Sequence, residues 1–388
     1  MTVPSFITQH AEPGRRSRVD VQPRRYASFH PIDFSPDRQP ARGGLNSPIQ
    51  SIIIDPTGQR VIACLADRVL RLDSSPPQQY WSDELGRWVA LATPEGLIYG
   101  PDLHPWDGSP SRSLASIEIL LEGDPRTQLA VAASTTHWLT AVAAGPPRGV
   151  PVVNIELRSR AADRTHDVWD AQLEGDGVAA IDDTNRLAVL TAEGLHLFEP
   201  TGADDQGVNT STQLETPPTG YAVGAAVPGW VALFAEDLDP QVPAEHWARR
   251  RGLPPGRVLA QRWHTKAIAW QADGTHAWTT SLPFEVYQPA LERGDGTLVF
   301  AGRGLASVSA ADGQLRWLRS LDEAAAATAF GDGSVALVHG SRLTILTADD
   351  KIAQSFDAPD GERLVTQPAI GPDATIYVAT ATKLLALR

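Results

Sequence analysis

The sequence predicts an all-β protein, a β-propeller built of four-stranded antiparallel blades, and three observations predict it. Towards the C-terminus, Gln288 to Leu321, Thr328 to Phe356 and Gln367 to Leu387 each run strand, Gly/Asp turn, strand, turn, strand. The unit recurs at about 40 residues, the period of a propeller blade. Its strands are short apolar runs such as Thr297–Ala301, Ser334–His339 and Thr375–Thr380, separated by Gly294-Asp295-Gly296 or Gly331-Asp332-Gly333, which read as β-turns rather than phosphate loops.

Residues 1–47 stand apart from the rest, with seven arginines, many prolines and no sustained alternation, and they read as an arm or strap. Within the strap, residues 26–34 (Tyr26-Ala27-Ser28-Phe29-His30-Pro31-Ile32-Asp33-Phe34) alternate weakly and predict one strand. That strand has a place to go, because the last repeat ends at Arg388 with three strands. A fourth strand taken from the strap would close the ring without a covalent link and cover exposed edges.

Residues 48–388 are assigned to the propeller. Innermost strands are expected to begin near Pro48, Arg87, His137, Gly177, Tyr221, Gln288, Thr328 and Gln367. Eight starts favour eight blades, with seven if Trp88 to Leu173 fold as one. The first blade reads as Ile49–Asp55, Arg60–Ala66, Arg68–Asp73 and an outer strand through Gln79-Tyr80-Trp81. The fourth reads as Val178–Ile181, Arg186–Thr191 and Leu195–Glu199. The fifth repeat carries an insertion, residues 236–265, in which Pro243–Arg251 predicts a short helix opened by proline and stopped by Gly252 and Pro254-Pro255.

Outer strands share a signature, a turn with Asp and Gly followed by Trp: Ala272-Asp273-Gly274-Thr275-His276-Ala277-Trp278 and Ala311-Asp312-Gly313-Gln314-Leu315-Arg316-Trp317. Both resemble the repeat of the PQQ-like (pyrroloquinoline quinone-like) β-propellers, in which Ala-x-Asp-x-x-Thr-Gly-x-x-x-Trp recurs. The likeness covers residues 265–388 well and 48–215 loosely. It implies that Trp278 and Trp317, and Trp81 and Trp169 at comparable positions, dock between adjacent blades. Such docking suits an aromatic that buries a large area while its indole N–H finds a backbone acceptor. The family spans quinone-dependent alcohol dehydrogenases, silent scaffolds such as the outer-membrane assembly lipoprotein, and sensor domains, so the resemblance alone selects no activity. The dehydrogenases typically set two adjacent cysteines over the cofactor, bind calcium and are exported, and the lipoprotein carries a lipidated N-terminal cysteine. This chain has one cysteine, Cys64, inside an apolar run.

Composition narrows the field further. A net charge of −13 and a pI near 5.2 argue against broad nucleic-acid binding, which needs a basic surface. A single cysteine excludes an intramolecular disulfide and a thiolate metal cluster. No apolar stretch reaches the length of a signal peptide or membrane span, so a cytoplasmic protein without membrane contact is expected. Thirty arginines against three lysines suggest a GC-rich bacterial genome.

No chemistry-bearing spacing stands out. The ten histidines show no metal-ligand pattern, and Asp182-Asp183, Asp204-Asp205 and Asp349-Asp350 fall at turns without calcium-loop spacing. No catalytic residue, cofactor or metal is expected. Partner-binding candidates are the strap arginines Arg15, Arg16, Arg18, Arg24 and Arg25 and the insertion residues His246, Trp247, Arg249, Arg250 and Arg251, because Arg and Trp offer large contact area with directional donors. The function expected is a non-catalytic scaffold holding protein partners in a larger bacterial assembly. The alternatives are a sensor binding a small molecule in the channel, or a propeller enzyme such as a PQQ-dependent dehydrogenase, lyase or hydrolase.

Overall fold

The structure is a computed structural model that describes residues 18–19, 22–32, 49–54, 60–65, 68–71, 78–82, 90–92, 95–99, 102–113, 128–133, 137–144, 152–159, 168–174, 177–182, 184, 186–199, 211–237, 263–321, 323–381 and 383–388. The described strands form eight sheets, each built on four antiparallel strands. In six of them the strands follow chain order from inner edge to outer, as in the fifth, which runs Gly220–Ala226, Gly229–Asp237, Trp263–Gln271, His276–Leu282. Successive sheets pack face to face, and the first strand of the first sheet, Ile49–Ile54, touches the last sheet, where Ile52, Val61 and Ala63 pack with Ala379 and Leu384.

The sandwiching explains the sequence pattern. Strands inside the outer edge are covered on both faces, so Leu187–Thr191, Gly304–Ser309 and Ala325–Phe330, second, third and first in their sheets, are buried at every position. Such strands read as continuous apolar runs. Alanine is a poor strand former by propensity, yet Ala325, Ala326, Ala327 and Ala329 line an innermost strand at 1% exposure or less. Converging sheets leave little room there, and packing overrides propensity. Outer strands face water on one side, and Leu315–Ser320 and Ile352–Asp357 alternate between exposed and half-buried.

The Asp-containing turns owe their shape to the carboxylate. Asp273, Asp295, Asp312, Asp332 and Asp373 each accept the backbone N–H two residues on, from Thr275, Thr297, Gln314, Ser334 and Thr375. Asp182 does the same for Thr184 and also binds Arg186.

The sequence reading departs from the structure in places. The third sheet begins at Gln128–Ala133, and His137–Ala144 is its second strand. Leu129-Ala130-Val131-Ala132-Ala133 lacks the β-branched richness that marks a strand. The seventh sheet's first strand starts at Ala325 rather than Thr328, and the sixth's at Leu291 rather than Gln288. In the fifth sheet, pairing continues to Asp237 opposite Trp263, so Glu236 and Trp263–Thr265 belong to the hairpin and not to the insertion. The predicted helix at 243–251 lies outside the described residues, among which the helical element is a 3-10 turn at Pro359–Gly361.

Two strands come from the strap. Phe29–Ile32 pairs antiparallel with Leu384–Leu387, with Phe29 opposite Leu387, as the fourth strand of the eighth sheet. Arg18–Val19 pairs in parallel with Ala329–Phe330, on the inner edge of the seventh sheet. The rest of that edge is also occupied: Ala325 N–H donates to Gly302 O, and the Gln288 side-chain amide exchanges two hydrogen bonds with Ala327 at 3.1 Å.

Candidate interaction surface

Antiparallel strands place the first-to-second and third-to-fourth turns of every sheet on one face of the ring. The second-to-third hairpins lie on the opposite face. The strap belongs to the first face. From Val19 at the ring's inner edge it passes the eighth sheet's first turn, where Arg24 Nη2 donates to Thr375 Oγ1 at 3.0 Å and Tyr26 OH donates to Ala374 O at 2.8 Å. It then becomes the outer strand, and Ala27 N–H meets the carbonyl of Arg388, the last residue.

Tyr26 is the anchor. Its side chain is 5% exposed and sits between the seventh and eighth sheets with Phe330, Ile345, Ile376 and Leu387. Its ring meets Phe356 edge-on at 6.3 Å, and the Arg24 guanidinium lies 5.8 Å from its centroid. Burial pushes its phenol pKa up to about 12.

Gln354 grips the strap's backbone on either side of Arg25, just ahead of that ring. Its Oε1 accepts Tyr26 N–H at 3.0 Å and its Nε2 donates to Arg24 O at 2.9 Å. The register gives this residue a meaning. In the first, fifth and sixth sheets a bulge in the outer strand puts Trp81 opposite Val69, Trp278 opposite Ala269 and Trp317 opposite Ser307, each one step before the shift. The seventh sheet has the same bulge between Ile345 and Leu346, and the residue opposite Ile345 is Gln354. Gln354 stands where the repeat places tryptophan.

Trp278 shows what the repeat does with that position. It is 4% exposed, and its Nε1 donates to Ala310 O of the next sheet at 2.8 Å. The turn that receives it must come close: a Cβ on Gly313 (φ +71°) would lie 2.9 Å from Trp278 Cβ. Trp317 is half-buried against the seventh sheet, and its buried Nε1 has no acceptor among the described residues. That junction relies on Arg293 instead, 2% exposed, which pairs with Asp350 at 2.9 Å and donates to Ala348 O. Trp81 and Trp169 lie on outer strands, Trp169 opposite Leu157.

The insertion leaves from the opposite face. Its root is the hairpin Gly229–Asp237 and Trp263–Gln271, nine residues on each side and paired throughout. Glu236 binds Lys266 at 2.9 Å across the pair. Partial burial opposes its ionisation, but hydrogen bonds from Lys266 and Ser281 prevail and keep its pKa below the usual carboxylate range. Below lies a buried polar cluster. Tyr221 OH reaches Val286 O at 2.9 Å and Thr265 Oγ1 at 3.1 Å, and Tyr287 OH donates to fully buried Glu285 at 2.6 Å. Burial holds both phenols well above their ordinary value, with the Glu285 charge adding to it.

The predicted partner residues are thus divided. Arg24 is tied to the ring seam, Arg25 is exposed beside it, and Arg18 lies on the inner-edge strand. Arg15, Arg16, His246, Trp247, Arg249, Arg250 and Arg251 are outside the described residues. The insertion's root is on the face away from Arg24 and Arg25. Sequence reading missed Gln354 and Tyr26 as a pair; the signal available was the absence of Trp from the seventh repeat. Among the described residues no cluster of three His, Cys, Asp or Glu side chains could hold a metal, and no helix is long and apolar enough to cross a membrane.

No protein-family profile matches the chain, and no curated protein matches it in sequence. Solved structures do. Hsv2 of Kluyveromyces lactis superposes with a TM-score of 0.50 at 11% identity, covering 81% of this chain and 100% of that one. The β-propeller domain of Cps50 (Swd1) from Myceliophteria thermophila gives 0.46 at 9% identity, covering 88% and 96%. The fold is a β-propeller. At such identities the likeness extends to fold alone.

Proposed function

We propose that this chain is a non-catalytic propeller scaffold whose eight sheets are the blades of one closed ring, and that it holds protein partners within a larger assembly. The bacterial and cytoplasmic setting, and kinship with the PQQ-like propellers, are part of the same proposal. Trp278 docking onto the neighbouring turn supports the kinship. The observation that carries the scaffold reading is the fifth-sheet hairpin, whose two nine-residue strands pair throughout and end at Asp237 and Trp263, directly opposite one another, where the insertion 238–262 joins. Polar groups inside the ring are used between sheets: Arg293, Gln288 and Thr328 each bond to a neighbouring sheet or its leading segment. The insertion carries Trp247 and Arg249–Arg251, residue types that dominate protein interfaces.

The test replaces residues 238–262 by an Asn-Gly turn joining Asp237 to Trp263, which lie directly opposite one another. The shortened chain should melt within a few degrees of the parent, yet lose partners when both are affinity-purified from the native host and compared by mass spectrometry. Trp247→Ala with Arg250→Glu should give a milder version of that loss. Recovery of every partner by the shortened chain would overturn the assignment of the contact to the insertion.

A further inference from the structure

The seam between the seventh and eighth sheets has the features of a peptide-binding slot, and they are independent of the insertion. It supplies an added-strand edge along Leu384–Leu387, an amide at Gln354 that reads the backbone on both sides of Arg25, a buried socket for the ring of the next residue, Tyr26, and an acceptor at Ala374 O for its hydroxyl. Thr375 accepts a guanidinium two residues earlier, and Phe356 packs edge-on against a second aromatic three residues later, Phe29. An extended Arg-x-Tyr-x-x-Phe segment satisfies all of these at once. Backbone pairing supplies affinity and the side-chain sockets supply selectivity, the logic of strand addition.

We propose that this slot is a recognition site for such a segment and that it accepts the strap of a second copy of this chain as well as its own. The contacts are the same in either case, so exchange is opposed mainly by the entropy of association and by the effective concentration of the tethered strap. Residues 33–48 tether Ile32 to Ile49, and those sixteen residues span at most roughly 55 Å when extended. That reach lets a strap leave its own ring for a neighbouring one. Two straps traded symmetrically leave no slot empty, which makes the product a closed pair rather than a filament.

Two full-length variants separate the halves of the contact. Tyr26→Ala weakens the strap and keeps the slot, whereas Gln354→Ala keeps the strap and weakens the slot. A fluorescent peptide of residues 22–32 should bind the Tyr26→Ala chain about tenfold or more tightly than the parent, because the competing tethered strap holds less well. The same peptide should raise that chain's melting temperature and bind the Gln354→Ala chain less than the parent. Mixing the two variants should give, by native mass spectrometry, a mixed dimer more abundant than either variant's own dimer. Equal peptide uptake by the parent and Tyr26→Ala chains, or uptake unaffected by Gln354→Ala, would overturn the slot. Absence of a mixed dimer while the peptide binds as expected would overturn exchange between copies.

Discussion

The junction between the fifth and sixth sheets and the seam between the seventh and eighth meet one need in two ways. At both, outer strands diverge from the axis and leave a wedge to fill, with a backbone carbonyl to satisfy. At the first, one residue does both: Trp278 fills the wedge and donates to Ala310 O. At the seam Tyr26 fills the wedge and donates to Ala374 O, but it comes from the strap, and a second residue, Gln354, holds the strap's backbone in place. The reason lies in where the eighth sheet takes its strands. Its third strand, Leu384–Leu387, pairs with a fourth, Phe29–Ile32, that precedes it by about 350 positions in the sequence, so the two are not consecutive strands joined by a tight turn that could receive an indole. A residue that holds a passing chain suits that position better than one that packs on a formed turn. The intervening sixth-to-seventh junction takes a third course, a buried Arg293 paired with the half-buried Asp350.

The contrast can be broken first at its stronger member. Trp278→Ala leaves a cavity and removes an acceptor's partner, and it should cost about 3–5 kcal/mol, read as a lowered melting temperature. Restoring the repeat residue at the seam should instead harm it. Gln354→Trp gives the strap backbone a bulky neighbour in place of its two hydrogen bonds and should cost about 1–3 kcal/mol. Trypsin should then cleave faster at Arg24 and Arg25, and stabilisation with unchanged cleavage would remove the case for Gln354 as a grip.

The smallest change separates volume from hydrogen bonding. Tyr26→Phe keeps the ring and loses the bond to Ala374 O, for about 1 kcal/mol near neutral pH. Its pH dependence has a defined sign. The folded chain holds the phenol neutral to about pH 12, while the unfolded chain ionises it near its ordinary value of 10. The contribution is therefore complete below pH 10 and is lost between 10 and 12. Stability of Tyr26→Phe should fall less over that interval, and parallel curves would show that the phenol is not held neutral.

Much of the architecture was legible because a blade is a local object. The runs at Thr297–Ala301 and Ser334–His339, the Asp-Gly turns between them and the outer-strand tryptophans lie within one repeat, and a period of about 40 residues exposes them. The Ala-rich strand at Gln128–Ala133 was less legible, since alanine earns its place in a strand only through the close approach of neighbouring sheets. The partner candidates were chosen by residue type, which does not encode the face of the ring they occupy.

The sequence by itself determined the repeated antiparallel unit, its turns and a strap rich in arginine. Only the tertiary structure decided that Gln354 reads the backbone of Arg24 and Tyr26, residues more than 300 positions away. A hydrogen bond between such distant segments exists only after the ring has brought its ends together, and no local pattern in either segment records the other.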